Sequence, residues 1–257
     1  MEEKALYYSL KYEGHYQKIY DAILNQEVID EEEKKALFKQ LKCRYTTIYS
    51  KDYPKKLRTI NYPPIVLYYY GDLSLVDTQS IGIVGMRDVD GYGTKVTREL
   101  SSDLTQAGYT IVSGMARGID GIAHRTAIAN GGKTIAVLGS GIDYCYPKQN
   151  QHLYNEIKEN HLLMSEYPAM SEPQRQKFPF RNRIVAGLSD DILVTQAKER
   201  SGTLITVGYA LEQGKDVYCV PSRIDDPEGC NLMIQQGAKL VMCAQDIMEE
   251  KDLWLTK

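Results

Sequence analysis

The chain has 257 residues, a formal net charge of −3 and 43% hydrophobic residues, which suffices to bury a core without disulfide or metal staples and excludes a disordered chain. It contains no run of eighteen apolar residues, about the minimum for a spanning helix, and the charged start Met1-Glu2-Glu3-Lys4 is no secretory leader; a cytoplasmic protein without membrane contact is expected. The five cysteines, Cys43, Cys145, Cys219, Cys230 and Cys243, are scattered and include no Cys-x-x-Cys pair, which argues against a disulfide framework and a structural zinc.

The first sixty residues read as a small helical element. Apolar and aromatic positions recur at helical spacing over residues 1–24, and Asp30 with Glu33 resembles a capping box opening a helix that carries Leu37 and Leu41. Tyr8, Tyr12, Tyr16 and Tyr20 stand four apart, a spacing that favours a packing face over a base-stacking platform. A proline-punctuated connector, Tyr53-Pro54 to Tyr62-Pro63-Pro64, follows. The expected division is a helical element and connector over 1–61 and a main domain over 62–257.

From Ser80 onward short apolar runs at 81–84, 110–112, 134–138, 192–195 and 217–220 alternate with helical stretches. In one such stretch Val96, Leu100 and Leu104 share a face and Gly108 ends the helix; in another Leu204, Val207 and Leu211 do so and Gly214 closes it. This is βαβ grammar, and continuous Val/Ile/Leu runs mark strands covered on both faces. The fold class is α/β: an extended Rossmann-like, doubly wound, mostly parallel sheet behind a small helical element.

In such sheets ligands gather outside the carboxyl ends of the strands. Gly85-Met86-Arg87, Ser113-Gly114-Met115-Ala116-Arg117, Gly139-Ser140-Gly141 and Ser201-Gly202-Thr203 all fall there. One glycine turn alone is an ordinary βα connection. Four that also bring a hydroxyl or a cation point to an anion, held by free helix amides and the helix dipole. Neither a Walker-type motif nor a complete Gly-x-Gly-x-x-Gly is present, which lowers NTPase and dinucleotide readings. His124 and His152 lack companion ligands, and no metal or cofactor is expected. Asp120, at the start of a helix, is expected to cap free amides instead of acting as a base.

The overall acidity hides a basic stretch containing Arg175, Lys177, Arg181 and Arg183. Arg181 and Arg183 bracket Asn182 where a helix should begin; two apart, they diverge by about 200° and cannot address one phosphate by the same face. One is expected at the ligand, and the other in a network with a carboxylate such as Glu166. Phe178 and Phe180 either stack on a base or fill a corner.

Together Gly85-Met86-Arg87, Ser113 to Asp120, Leu138-Gly139-Ser140-Gly141 through Tyr146-Pro147-Lys148-Gln149-Asn150, Phe178-Pro179-Phe180-Arg181-Asn182-Arg183 and Ser201-Gly202-Thr203-Leu204-Ile205-Thr206 resemble, in order from about Tyr53 to Asp246, the DNA-processing protein A (DprA/Smf) family. The resemblance implies a homodimer that binds single-stranded DNA without sequence preference and loads the recombinase RecA during natural transformation. It makes Arg87 and Lys148 phosphate ligands, gives the Ser113-Gly114-Met115 turn the role of amide donor, and puts Arg181 and Arg183 at the border of the same pocket. The remaining motif positions, among them Asn150 and Asn182, complete the candidate nucleic-acid site. It also implies a dimer surface over 231–241, with Ile234 and Leu240 as apolar candidates. Met86, Gln196 and Ser222 depart from the family pattern, and with the sequence ending at Lys257 the C-terminal winged helix of many members is not expected.

A strand binder needs cations, amides and stacking surfaces but no general base, so no catalytic residue is expected. The alternatives are a nucleoside monophosphate hydrolase of the lysine-decarboxylase-like Rossmann group, disfavoured by Thr206 at the position of that group's glutamate, and a nucleotide-sensing module.

Overall fold

The structure, a computed structural model, describes residues 1–169, 171–199, 201–223 and 229–249. Its N-terminal segment forms three short helices, α1 (Glu2–Lys11), α2 (Tyr16–Leu24) and α3 (Glu31–Gln40). Asp30 caps α3 by accepting from the amides of Glu32 and Glu33. The return half of the box is missing, because the Glu33 carboxylate accepts from the Tyr7 hydroxyl of α1. Leu37 lies on α3 and Leu41 at its C-cap. The tyrosines do not share one helix: Glu13 (φ 50°) and Gly14 (φ 76°) turn the chain between Tyr12 and Tyr16. Tyr8 enters the core, while Tyr16 and Tyr20 stack on α2 with ring centroids 6.3 Å apart.

The strands are β1 (Arg44–Thr47), β2 (Val66–Gly71), β3 (Ser80–Val84), β4 (Thr110–Ser113), β5 (Thr134–Gly141), β6 (Leu162–Tyr167), β7 (Asp191–Val194), β8 (Val217–Cys219) and β9 (Lys239–Leu240). Among the described residues they form one nine-stranded sheet in the order β1-β2-β6-β5-β4-β3-β7-β8-β9. Every pair from β6 to β9 is parallel, and β2 runs antiparallel to both β1 and β6. The five apolar runs of the sequence are β3, β4, β5, β7 and β8, and the expected doubly wound, mostly parallel sheet is present. The boundary expected at residue 61 cuts through this sheet, since Arg44 pairs with Tyr69 and Thr47 with Val66. Of the expected main domain, residues 250–257 lie outside the described residues.

Helices α4 (Gly91–Gln106), α5 (Ile119–Ala129), α6 (Gln151–Asn160), α7 (Lys177–Leu188), α8 (Gly202–Glu212) and α9 (Gly229–Gln235) cover the two faces. Gly108 and Gly214, at φ 89° and 69°, follow α4 and α8 as the sequence suggested. Leu100, Leu104, Ile119 and Ala123 pack on Ile81, Ile83 and Ile111 on one face. Ile184, Val185 and Leu188 of α7 pack on Val112, Ile135, Val137 and Ile192 on the other. Helix α1 joins the sheet directly: Ala5, Leu6 and Tyr8 share a core with Tyr68, Ala136, Leu138 and Leu163. The N-terminal helices and the sheet thus bury apolar surface against each other, which makes them mutually dependent for stability. No helix among the described residues is long and apolar enough to cross a membrane.

Order matters for function at one place. The chain moves from β3 outward through β4, β5 and β6 and then returns to β7 on the far side of β3, so the topological switch point lies between β3 and β7.

His124 of α5 is fully buried. Thr134 donates its hydroxyl to Ile111 O (2.7 Å), so the 2.6 Å contact between Thr134 Oγ1 and His124 Nδ1 requires the proton on Nδ1. The other nitrogen, Nε2, is buried without a partner. Burial pushes the imidazole down to about 3 from 6.5, and Arg125 and His161 act in the same direction. The neutral ring therefore contributes stability that is complete above pH 6.5 and is lost as pH falls toward 3. Replacing His124 by Gln should make denaturant-derived stability less steep between pH 6 and 4 by up to about 1.4 kcal/mol per pH unit. Equal slopes in the two proteins would contradict this account.

Candidate functional site

Three of the four glycine loops meet at the switch point. Gly85, Met86 and Arg87 follow β3, Gly114 and Ala116 follow β4, and Ser201, Gly202 and Thr203 open α8. With Phe178, Arg181 and Asn182 of α7 they line a cleft of about 690 Å³. An adjoining hollow of about 410 Å³ contains Arg117, Lys148 and Tyr144. The two share Arg87, Gly114, Ala116, Tyr146 and Phe178, so they make one trough.

The wall of this trough is built on Arg181, which is 4% exposed. Its Nη1 donates to Gly114 O at 2.6 Å and to Val137 O, and its Nε donates to Asn182 Oδ1 at 3.1 Å. Burial pulls the guanidinium down to about 10, against the carboxylate of Asp120. A Cβ on residue 114 would lie 2.5 Å from Arg181 Nη2, so only glycine lets the guanidinium lie on the loop. Gly118 is equally constrained: its φ is 71°, and a Cβ would lie 2.4 Å from Met86 O.

Asp120 departs from its expected role as a helix cap. Gly118 is the N-cap of α5, and Asp120 Oδ2 turns back to accept from the Ala116 amide at 3.2 Å. Burial raises the Asp120 pKa, opposed by Arg181, the loop amides and Arg87. The engaged amide is that of Ala116, the residue after the Ser113-Gly114-Met115 turn.

Arg183 takes the opposite direction from Arg181, as their spacing required. It is fully buried, with Nη2 2.6 Å from Glu166 Oε1, Nε donating to Tyr62 O at 2.8 Å and its guanidinium 3.7 Å from the Phe180 ring centre. Burial raises Glu166, and Arg183 opposes that shift. Phe180 packs among Tyr16 and Tyr62, at 5.9 and 6.5 Å, so neither it nor Arg183 lines the trough. The carboxylate named from the sequence is the one that pairs.

Several other candidates support the site from behind. Ser113 is buried and donates its hydroxyl to Ile83 O at 2.6 Å, and Met115, at φ 62°, packs into the core. Asn150 donates to Met115 O (2.9 Å) and Ala116 O (3.2 Å), fixing the β4 loop. Gly139, Ser140 and Gly141 belong to β5; Ser140 donates to Tyr144 O, and a Cβ on residue 141 would meet Ala169 O at 2.0 Å. Gly141 thus serves a close chain crossing, whereas a Cβ on residue 139 would lie 2.7 Å from the Phe178 ring, so Gly139 makes room for that ring.

What faces solvent is cationic and aromatic. Arg87, Arg117 and Lys148 are exposed along the trough. Arg87 sits 5.7 Å over the Phe178 ring, and Tyr146 lies 5.4 Å from that ring on its own side. Arg117 is 3.7 Å from Asp88, half exposed, a pair weakened by solvent. Arg175 and Lys198 also line the cleft. Arg175 was within reach of the sequence as part of the basic stretch, whereas Lys198 sits in the mixed-charge run Lys198-Glu199-Arg200 beyond β7 and carries no basic signal of its own. Gln196, a departure from the family pattern, accepts through its backbone from the Met86 amide (2.9 Å) and through Oε1 from the Asp90 amide (3.3 Å), joining the two loops of the switch point.

Residues 44–252 match the family model described as DNA recombination-mediator protein A. The DNA processing protein DprA of Bacillus subtilis is 45% identical over 206 residues, which cover 79% of this chain and 69% of that protein. The crystal structure of DprA from Streptococcus pneumoniae superposes with a TM-score of 0.80 at 35% identity, covering 96% of this chain and 93% of that one. DNA processing protein A from Helicobacter pylori, solved for its single-stranded DNA binding mode, gives 0.74 at 31% identity, covering 81% of this chain and 95% of its own. By the extent of the family match and the identity to these relatives, the chain belongs to the DNA-processing protein A (DprA/Smf) family.

Proposed function

We propose that this protein binds single-stranded DNA by its backbone, without sequence preference, and hands it to the recombinase RecA in recombination of incoming strands during natural transformation. The observation that carries the reading is the trough itself, where exposed Arg87, Arg117 and Lys148 surround an accessible aromatic pair, Phe178 and Tyr146. Cations that neutralise phosphates and rings that accept any base are the parts a sequence-tolerant strand binder needs. The single-stranded DNA binding described for the Helicobacter pylori relative supports the same reading.

Binding without catalysis agrees with the carboxylates at hand. Asp120 is held by the Ala116 amide beside Arg181, and Thr206 lines the cleft where a hydrolase of the related group would carry glutamate. Among the described lining residues the remaining carboxylate is the exposed Asp88.

We extend the reading to a homodimer formed at the β9 edge. Leu240 is 48% exposed on this edge strand, and an open strand edge with an apolar side chain favours pairing with a second copy. Ile234 is partly buried against the main core, so it supports the surface from beneath.

In a salt titration with an oligothymidylate, Arg87→Ala and Lys148→Ala should each weaken binding and make the logarithmic salt slope shallower by about 0.7. Unchanged slopes and affinities in both variants would remove the phosphate assignment. Leu240→Glu should convert a dimer to monomers by light scattering while leaving the thermal melt near that of the wild type. A folded Leu240→Glu protein that keeps the dimer mass would remove the proposed interface.

A further inference from the structure

The trough brings two rings together, and their surroundings divide the work between them. Phe178 is half-buried. A Cβ on residue 139 would lie 2.7 Å from its Cδ1 and 3.0 Å from its Cε1, so the edge of the ring rests on the bare backbone of Gly139, inside β5. The Arg87 guanidinium stands 5.7 Å from the ring centre, and the Tyr146 ring lies 5.4 Å away at an interplanar angle of 44°. Tyr146 is 43% exposed, and its aromatic contact among the described residues is Phe178. The outer ring is therefore open to a planar ligand, while the inner one supports it from the strand.

A stacking surface contributes most when it is ordered before the base arrives. The loop that carries Tyr146 is held from within: Ser140 Oγ donates to Tyr144 O at 2.9 Å, and the Asn150 amide donates to Pro147 O at 3.0 Å. Tyr146 and Arg87 line both halves of the trough, and Lys148, two residues along from Tyr146, lines the hollow. A ring beside cations meets a base and its phosphates together, and every base offers the ring a π-face. We propose that Tyr146 is the ring on which a base of the bound strand stacks, that Phe178 is its buttress, and that Gly139 is a positioning residue that seats the buttress by having no side chain. The inference rests on the trough being the single-strand site, and it assigns the base contact within it. An alanine at 139 would displace the Phe178 ring, because β5 lies inside the sheet between β4 and β6 and the end of a side chain swings more readily than an inner strand.

The experiment compares an oligothymidylate with an abasic oligonucleotide of the same length, which keeps every phosphate and lacks the bases. The wild-type protein should bind the thymidylate at least about fivefold more tightly than the abasic strand. Tyr146→Ala should weaken thymidylate binding by about fivefold to a hundredfold, with abasic binding within about twofold of the wild type and the salt slope unchanged. Tyr146→Trp, which keeps a ring, should bind both strands as the wild type does, and its added emission should be quenched by the thymidylate and not by the abasic strand. Gly139→Ala should lower the thymidylate preference by at least about threefold and cause no further loss in a protein that already carries Tyr146→Ala. A merely structural change would lower the binding of both strands in either background. If Gly139→Ala does not fold, Phe178→Leu tests the same support and should give the same pattern. Equal wild-type affinities for the two strands, a Tyr146→Ala protein that keeps the thymidylate preference, or a Gly139→Ala loss shared by both strands would overturn the proposal. Failure of both strands to bind the wild type would remove the single-strand reading itself, a result distinct from equal binding of the two.

Discussion

A guanidinium with almost no access to water must be surrounded by acceptors, and the needs of Arg181 organise the centre of this molecule. A buried charge costs several kcal/mol unless it is paired and hydrogen-bonded. Arg181 finds Gly114 O, Val137 O and Asn182 Oδ1, with the carboxylate of Asp120 opposite. Each partner then loses its freedom. Residue 114 has no room for a side chain, the loop after β4 has to present its carbonyl, and α7 is held over the end of β4 and the middle of β5. The shape of the trough follows from the solvation of one side chain.

The same helix carries a second buried arginine with the opposite task. Arg183 pairs with Glu166 at the end of β6 and holds Tyr62 by its carbonyl, under the rings of Phe180 and Tyr16. Tyr62 stands in the left-handed region at φ 56°, a conformation that an L-residue keeps only when its surroundings hold it there. Arg181 therefore shapes the ligand side of α7, and Arg183 anchors the N-terminal helices to the other side. Two residues of spacing separate binding geometry from architecture.

This division was partly legible in the sequence. The angular argument required the two arginines to part, and Glu166 was named as a suitable partner; deciding which arginine takes it needs the position of β6 against α7, which no local pattern encodes. The central strands were legible because they are buried on both faces and read as unbroken apolar runs. The Tyr68-Tyr69-Tyr70 run of β2 and the Ser165-Glu166 end of β6 mix polar groups into the strand and lack that signature. Gly139-Ser140-Gly141 has the composition of a ligand loop, but Gly141 answers to the chain crossing at Ala169, a contact made almost thirty positions away, and Gly139 to the ring of Phe178. Asp120 was placed correctly at a helix start, yet its acceptor role goes back to Ala116 because Gly118 already forms the cap.

The pairing of β2 with β6 imposes a timetable on the birth of the protein. Tyr68 lies opposite Ser165 and Gly71 opposite Leu162, so the strand that follows the N-terminal helices meets its inner neighbour about a hundred residues later. Leu6 and Tyr8 of α1 complete their shared core only when Leu163 is available. At about 5 to 20 residues per second, the leading segment emerges from the ribosome and stays without its final contacts for about 8 to 30 seconds. The first part of the chain to be made is therefore among the last to reach its native neighbours, and α3, with three glutamates and three lysines among its ten residues, presents mostly charge to solvent while that segment waits.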